Sequence, residues 1–204
     1  VAAMRHAVSV PVTVNHRIGI DDLDRYEDIL SFVDVVSSSD CDRFSVHARK
    51  AWLSGLSPKE NRNVPPLRYH EVYRLKTERP EQVVEINGGI KTLDEVEDHL
   101  QRVDAVMVGR GAYDDPAFLL DADRRCFGLD NPSGDLREAL QSYRPYIANH
   151  VAGGGRLHDI TRHLMGLFAG QPGARRYRRH LGQEAVRSGA DLSVLDTAVD
   201  FVTI

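Results

Sequence analysis

Two glycine motifs, each directly after a short apolar run, most constrain what this chain can fold into: Glu85-Ile86-Asn87-Gly88-Gly89-Ile90 and Ala105-Val106-Met107-Val108-Gly109-Arg110-Gly111. Both runs are apolar enough for buried parallel strands. Glycine after a strand lets backbone N–H groups approach an anion with no Cβ in the way, and Arg110 can add a charge-assisted bond to the same phosphate. Between the motifs, the capping box Thr92-Leu93-Asp94-Glu95 opens a helix whose stripe is Leu93, Val96, Leu100 and Val103. The unit is strand, helix, strand, and a phosphate site after the last two strands recurs in (β/α)8 barrels. One glycine pair can simply turn the chain; two in tandem point to a phosphorylated ligand.

The same alternation runs through the first 125 residues or so. Val10 to His16 alternates apolar and polar and ends at Arg17-Ile18-Gly19, a strand entering a loop. Asp21 and Asp22 are expected to start a helix whose apolar positions, Leu23, Tyr26, Ile29, Leu30 and Val33, keep a 3.6 period. Phe44 to His47 is a second strand, and the polar loop after it passes through Pro65 and Pro66, which bar a continuous helix. Tyr69 to Arg79 is the next helix, and Val83 to Ile86 and Ala105 to Val108 complete four strands. Strand signals stop at the Gly, Asp, Asn, Pro and Ser cluster of Gly128 to Gly134. Beyond it, four helices are expected over Leu136 to Val151, His158 to Ala169, Ala174 to Arg187 and Leu192 to Val202.

The expected organisation is α/β: residues 1–127 form four βα units of a parallel sheet, and residues 128–204 form a small helical bundle. Four βα units leave two open sheet edges and an unfilled barrel interior, so the chain reads as part of a longer one. Its opening, Val1-Ala2-Ala3-Met4-Arg5, looks like the tail of a helix feeding the first strand.

No apolar run approaches the roughly 20 residues that cross a bilayer, and no signal-peptide pattern opens the chain, so a cytoplasmic setting is expected. Cys41 and Cys126 are expected to be reduced thiols, and the nine histidines form neither HxxxH nor HExxH, so no metal site is expected. Net charge is −4, yet Ile160 to Gln183 holds five arginines and no acid. Arg43 to Arg62 holds five bases against Glu60 alone. Two basic stretches on an acidic protein suggest a polyanionic partner, although each could also be a solvated face.

The segment His47-Ala48-Arg49-Lys50-Ala51-Trp52-Leu53-Ser54-Gly55-Leu56-Ser57-Pro58-Lys59-Glu60-Asn61-Arg62 closely resembles the tRNA-dihydrouridine synthases, and among them the A type. The match continues, in order, through Val14-Asn15-His16-Arg17-Ile18-Gly19, the two glycine motifs, and Gly170-Gln171-Pro172-Gly173-Ala174-Arg175. The resemblance implies an FMN enzyme that uses NADPH to reduce uridine to dihydrouridine in the tRNA D-loop, at positions 20 and 20a. It implies a (β/α)8 barrel followed by a helical tRNA-binding domain, with the last four barrel strands present here. Asn87, Gly88, Gly89, Gly109 and Arg110 would hold the FMN phosphate, and His47 would contact the flavin. Lys59, Arg62, Arg175 and Arg178 match tRNA-contacting positions and fall in the two basic stretches.

Two departures stand out. The family's general acid is a cysteine within a motif resembling Asn-x-x-Cys-Gly-Cys-Pro, which this sequence does not contain. Asn15 occupies the position of a family lysine directed at the flavin, and carries a hydrogen-bond donor without its charge. The chain alone is therefore expected to be inactive. Alternatives are a noncatalytic tRNA-binding remnant and another FMN or sugar-phosphate barrel enzyme; the latter leaves both basic stretches unexplained.

Overall fold

A computed structural model describes residues 1–203. Its contacts divide the chain into two compact units, residues 1–109 and the remainder from Arg110 on.

The first unit begins with the short helix α1 (Ala2–Ala7) and then alternates β1 (Thr13–Arg17), α2 (Tyr26–Ser37), β2 (Arg43–His47), α3 (Tyr69–Glu78), β3 (Val84–Asn87), α4 (Leu93–Leu100) and β4 (Ala105–Met107). The four strands pair in parallel in the order β1-β2-β3-β4. The register aligns Arg17 with His47, His47 with Asn87, and Asn87 with Met107, so all four C-terminal ends and their loops lie at one end of the sheet. Side chains alternate across a strand. Phe44, Val46, Val84 and Ile86 fall on one face and are fully buried, as are Val33, Val72 and Leu75 of the helices. The capping box holds: Thr92 Oγ accepts from the Glu95 amide at 3.2 Å, and the Glu95 carboxylate accepts from the Thr92 amide at 3.1 Å.

The opposite face is polar, with Asn15 and Arg17 on β1, Arg43, Ser45 and His47 on β2, and Glu85 and Asn87 on β3. Buried Glu85 accepts from the Ser45 hydroxyl and pairs with Arg43 at 3.4 Å. Four strands about 4.8 Å apart would hold the edge strands about 14 Å apart in a flat sheet. Asn15 Nδ2 on β1 nevertheless lies 3.7 Å from Met107 Sδ on β4, so the sheet is curled with the polar face inside.

The helix expected from Asp21 begins only at Tyr26. Asp21 has φ 46° and sits in a tight turn, with Ile20 and Leu23 exchanging backbone hydrogen bonds at 2.9 and 2.8 Å; Asp28 then caps the helix from within. This turn is tied to the β2 loop, a long-range constraint that periodicity does not carry.

The second unit contains α5 (Arg110–Asp114), a 3₁₀ turn (Pro116–Asp121), a π turn (Asp123–Phe127), α6 (Leu136–Ala152), α7 (Leu157–Thr161), α8 (Ala174–Glu184) and α9 (Leu192–Asp200). Leu140, Ile147, Leu157, Phe168, Tyr177, Leu181 and Leu195 belong to its core, and Ala117 and Leu120 pack against them, which is why residues 110–127 cluster with this unit. The expected helix His158 to Ala169 is cut to α7. A Cβ at Gly166 would lie 2.3 Å from the Asp114 carbonyl oxygen, so this stretch passes backbone to backbone against α5 and continues as turns.

Candidate functional site

The glycine loops follow β3 and β4, which are adjacent, so they stand side by side. Gly88 and Gly89 have φ of 114° and 77°, a region that side chains other than glycine's rarely enter. The Tyr69 hydroxyl donates to the Gly88 carbonyl at 2.6 Å. Because C=O and N–H point opposite ways across a trans peptide, that bond turns the Gly89 N–H away from Tyr69. Among the described residues, the amides of Gly88, Gly89 and Gly109 make no hydrogen bond to another backbone group. A Cβ at Gly88 would sit 3.2 Å from His47 Cε1, so the imidazole packs against the loop, while a Cβ at Gly109 would meet nothing within 4 Å. Asn87 Nδ2 donates to the Met107 carbonyl at 2.7 Å and ties the two loop origins together. Asn15 is exposed on the curled polar face. Arg110 is the first residue of α5 and the next link in the chain after Gly109.

The basic loop after β2 is built on the loop after β1. Ala51 and Ile20 form a parallel bridge, with the Ala51 amide donating to the Gly19 carbonyl at 2.9 Å and the Asp21 amide to the Ala51 carbonyl at 2.8 Å. Arg17 Nη1 donates to the carbonyls of Lys50 at 3.0 Å and Asn61 at 2.8 Å, closing the two ends of the loop on one guanidinium. The Asn61 side chain accepts from the Trp52 amide at 2.8 Å and donates to the Trp52 carbonyl at 2.6 Å. Glu60, the stretch's sole acid, accepts from the Ser57 amide and hydroxyl, bonds that hold its pKa down. Lys59 and Arg62 are left exposed on this clasped loop. Burial lowers the pKa of Arg17, and the nearby charges of Arg49 and Arg62 lower it further, so three guanidiniums crowd the ends of β1 and β2. Such a cluster favours an anionic partner.

In the second unit, Gly173, φ 89°, is the N-cap of α8, and a Cβ there would overlap the Phe201 carbonyl oxygen. Arg175, Arg178 and Arg179 are exposed, and Arg176 lies over the Phe201 ring at 4.4 Å. No acid occupies the first turn, and no ion pair engages Arg175, Arg178 or Arg179 among the described residues. Cations at a helix N-terminus oppose the macrodipole, an arrangement that an external polyanion relieves.

Neither cysteine lies in a glycine loop. Cys41 Sγ donates to the Arg43 carbonyl at 3.3 Å, at the N-terminal end of β2, about 15 Å from its loop end by strand length. Cys126 lies in the π turn of the second unit. Arg17, Asn61, Trp52 and Tyr69 as positioning residues went unseen in the sequence. Their bonds join residues up to 44 positions apart, which no local spacing signals.

The chain matches the family model described as Dihydrouridine synthase (Dus) over residues 1–202. It is 51% identical over 203 residues to a tRNA-dihydrouridine(20/20a) synthase of Salmonella typhimurium (strain LT2), covering 99% of this chain and 61% of that protein. The protein of the same name from Escherichia coli (strain K12) is 51% identical over 203 residues, covering 99% and 59%. That of Synechocystis sp. (strain PCC 6803) is 49% identical over 199 residues, covering 98% and 60%. The chain spans about 60% of the length of these relatives.

Proposed function

The chain belongs to the dihydrouridine synthase family, and from that premise we propose that it forms the flavin-phosphate and RNA-binding part of a tRNA-dihydrouridine(20/20a) synthase. The observation that carries this reading is the pair of adjacent glycine loops with unclaimed amides, beside a clasped loop of exposed cations at the same end of the sheet.

The residues present fit an FMN phosphate. A Cβ at Gly88 or Gly89 would press on His47, Leu67 or Tyr69 at a φ that favours glycine, and Gly109 faces open space. Backbone N–H groups of these glycines would hold the phosphate, Arg110 would add charge, and Asn87 would keep the two loops in register through Met107. His47 would meet the flavin from β2, and Asn15 would offer an uncharged donor from the curled face. The chemistry that a flavin supplies when bound is hydride delivery to C6 of uracil, with reducing equivalents drawn from NADPH. The proton for C5 needs a general acid, and this chain holds no Asn-x-x-Cys-Gly-Cys-Pro motif to supply one. Cys41 is at the wrong end of its strand. We therefore assign no catalytic residue here, and turnover by the chain alone is not expected.

Lys59 and Arg62 on the clasped loop, and Arg175 and Arg178 on α8, would hold tRNA phosphates. These contacts position the RNA rather than read its sequence, and the target uracil must leave its stack to be reduced. The absent acid motif favours one second reading, a noncatalytic tRNA-binding protein.

Flavin retention separates the two. FMN should quench on titration with the chain, and riboflavin, which lacks the phosphate, should bind at least about tenfold more weakly, since each charge-assisted bond contributes about 1.5–3 kcal/mol. Gly89→Ala, strained at φ 77° and 2.7 Å from Leu67 Cδ1, should abolish that difference. Equal affinity for FMN and riboflavin in the parent chain would remove the phosphate cradle from the account.

A further inference from the structure

Trp52 is the sole tryptophan of the chain, and it stands on the clasped basic loop rather than in a core. Its backbone amide and carbonyl are both held by the Asn61 side chain, and the Asn61 backbone carbonyl accepts from Arg17. Lys50 Nζ lies over its ring, 5.7 Å from the centroid, and that ammonium is itself fixed on Asp24 at 2.8 Å. Trp52 keeps 37% of its surface exposed, and the next residue, Leu53, keeps 72%. A large aromatic left in solvent forgoes the burial that a tryptophan normally gains. Here its backbone is held in place, its ring lies beside Lys50, and the same loop carries exposed Lys59 and Arg62. An aromatic surface interleaved with cations is what an unpaired nucleotide needs: the ring takes the base and the cations take its phosphates.

We propose that Trp52 is a stacking surface for one unpaired base of the RNA, which deepens the tRNA-binding reading above and rests on it. The base it takes is sequence-tolerant, because every base offers a π-face. The preorganised backbone means that stacking orders little besides the base itself. A paired helix would engage the cations without reaching the indole.

The sole tryptophan is its own reporter. Adding an unmodified tRNA transcript to the 204-residue chain should quench Trp52 emission. A fully paired RNA duplex of similar length should bind through its phosphates and leave the emission unchanged. Trp52→Leu should weaken transcript binding about tenfold, with the same dependence on salt, because no cation is lost. Trp52→Phe should restore most of that loss, and Trp52→Leu should leave duplex binding unchanged, whereas a role in loop packing would weaken transcript and duplex binding alike. If the parent binds the transcript in a salt-dependent way with unchanged emission, or with equal quenching by the duplex, the inference fails while the tRNA reading stands. Equal affinity of Trp52→Leu and the parent has the same consequence. If the parent binds no tRNA at any salt concentration, the reading beneath it fails first.

Discussion

His16 shows how strand alternation assigns neighbouring residues to different tasks. Asn15 faces the curled polar side, whereas the His16 ring packs 4.7 Å from Phe32 and 6.1 Å, edge on, from Phe44. Its Nδ1–H donates to the Arg17 carbonyl at 2.9 Å, and Nε2 is buried without a partner. Asp28 and Arg17 line the same apolar cavity of about 450 Å³. Burial holds the His16 pKa below 6.5, opposed only by the backbone bond, and burial lowers His99 likewise. The unfolded chain therefore takes up protons that the folded chain refuses. Stability is fully present above pH 6.5 and falls as the pH drops through that value toward the lowered native pKa. Urea midpoints should decline between about pH 7.5 and about pH 5.5, above the range where carboxylates dominate. His16→Leu should flatten that decline; a slope equal to the parent's would mean that His16 carries none of it. The opposition of residues 15 and 16 was legible in the sequence, because a strand's period of two dictates it. The orphaned Nε2 was not, since it depends on Phe32 arriving from α2.

At the scale of elements, helix starts were legible where the capping chemistry is local, as at Thr92 and Glu95, and illegible where a distant loop decides. The turn at Asp21 is held by Ala51, 30 positions on, and the stretch after Thr161 is bent by Asp114. Helix α8 combines both kinds of information. Its arginine spacing is local, and the structure leaves Arg175, Arg178 and Arg179 exposed as the i, i+3, i+4 pattern requires. The tight fit of Gly173 against Phe201 that fixes where the helix begins is not local. If α8 holds phosphates, Arg175→Ala combined with Arg178→Ala should weaken tRNA binding and reduce the slope of log affinity against log salt by about two. Filter binding at several salt concentrations measures this. An unchanged slope would show that these arginines are a solvated face.

For the whole molecule, the parallel βα order and the two glycine loops were legible because strand period, capping and glycine placement are all written locally. The division at Gly109 was not, because Ala117 and Leu120 join the helical core through contacts that the intervening glycine cluster hides. The candidate site divides in the same way: the groups proposed to bind anions announce themselves as glycines and arginines, while the residues that hold their loops, Tyr69, Asn61 and Arg17, act at a distance. On the proposed function, this chain carries the phosphate cradle and the RNA-binding cations but not the general acid. The most direct measurement is dihydrouridine formed in an unmodified tRNA transcript with FMN and NADPH. It should compare the 204-residue chain with the same chain joined to the segment of its Escherichia coli relative that it does not span. Both proteins should bind the transcript, and only the joined protein should produce dihydrouridine. Turnover by the 204-residue chain alone, or no product from a joined protein that is folded and flavin-loaded, would contradict the account.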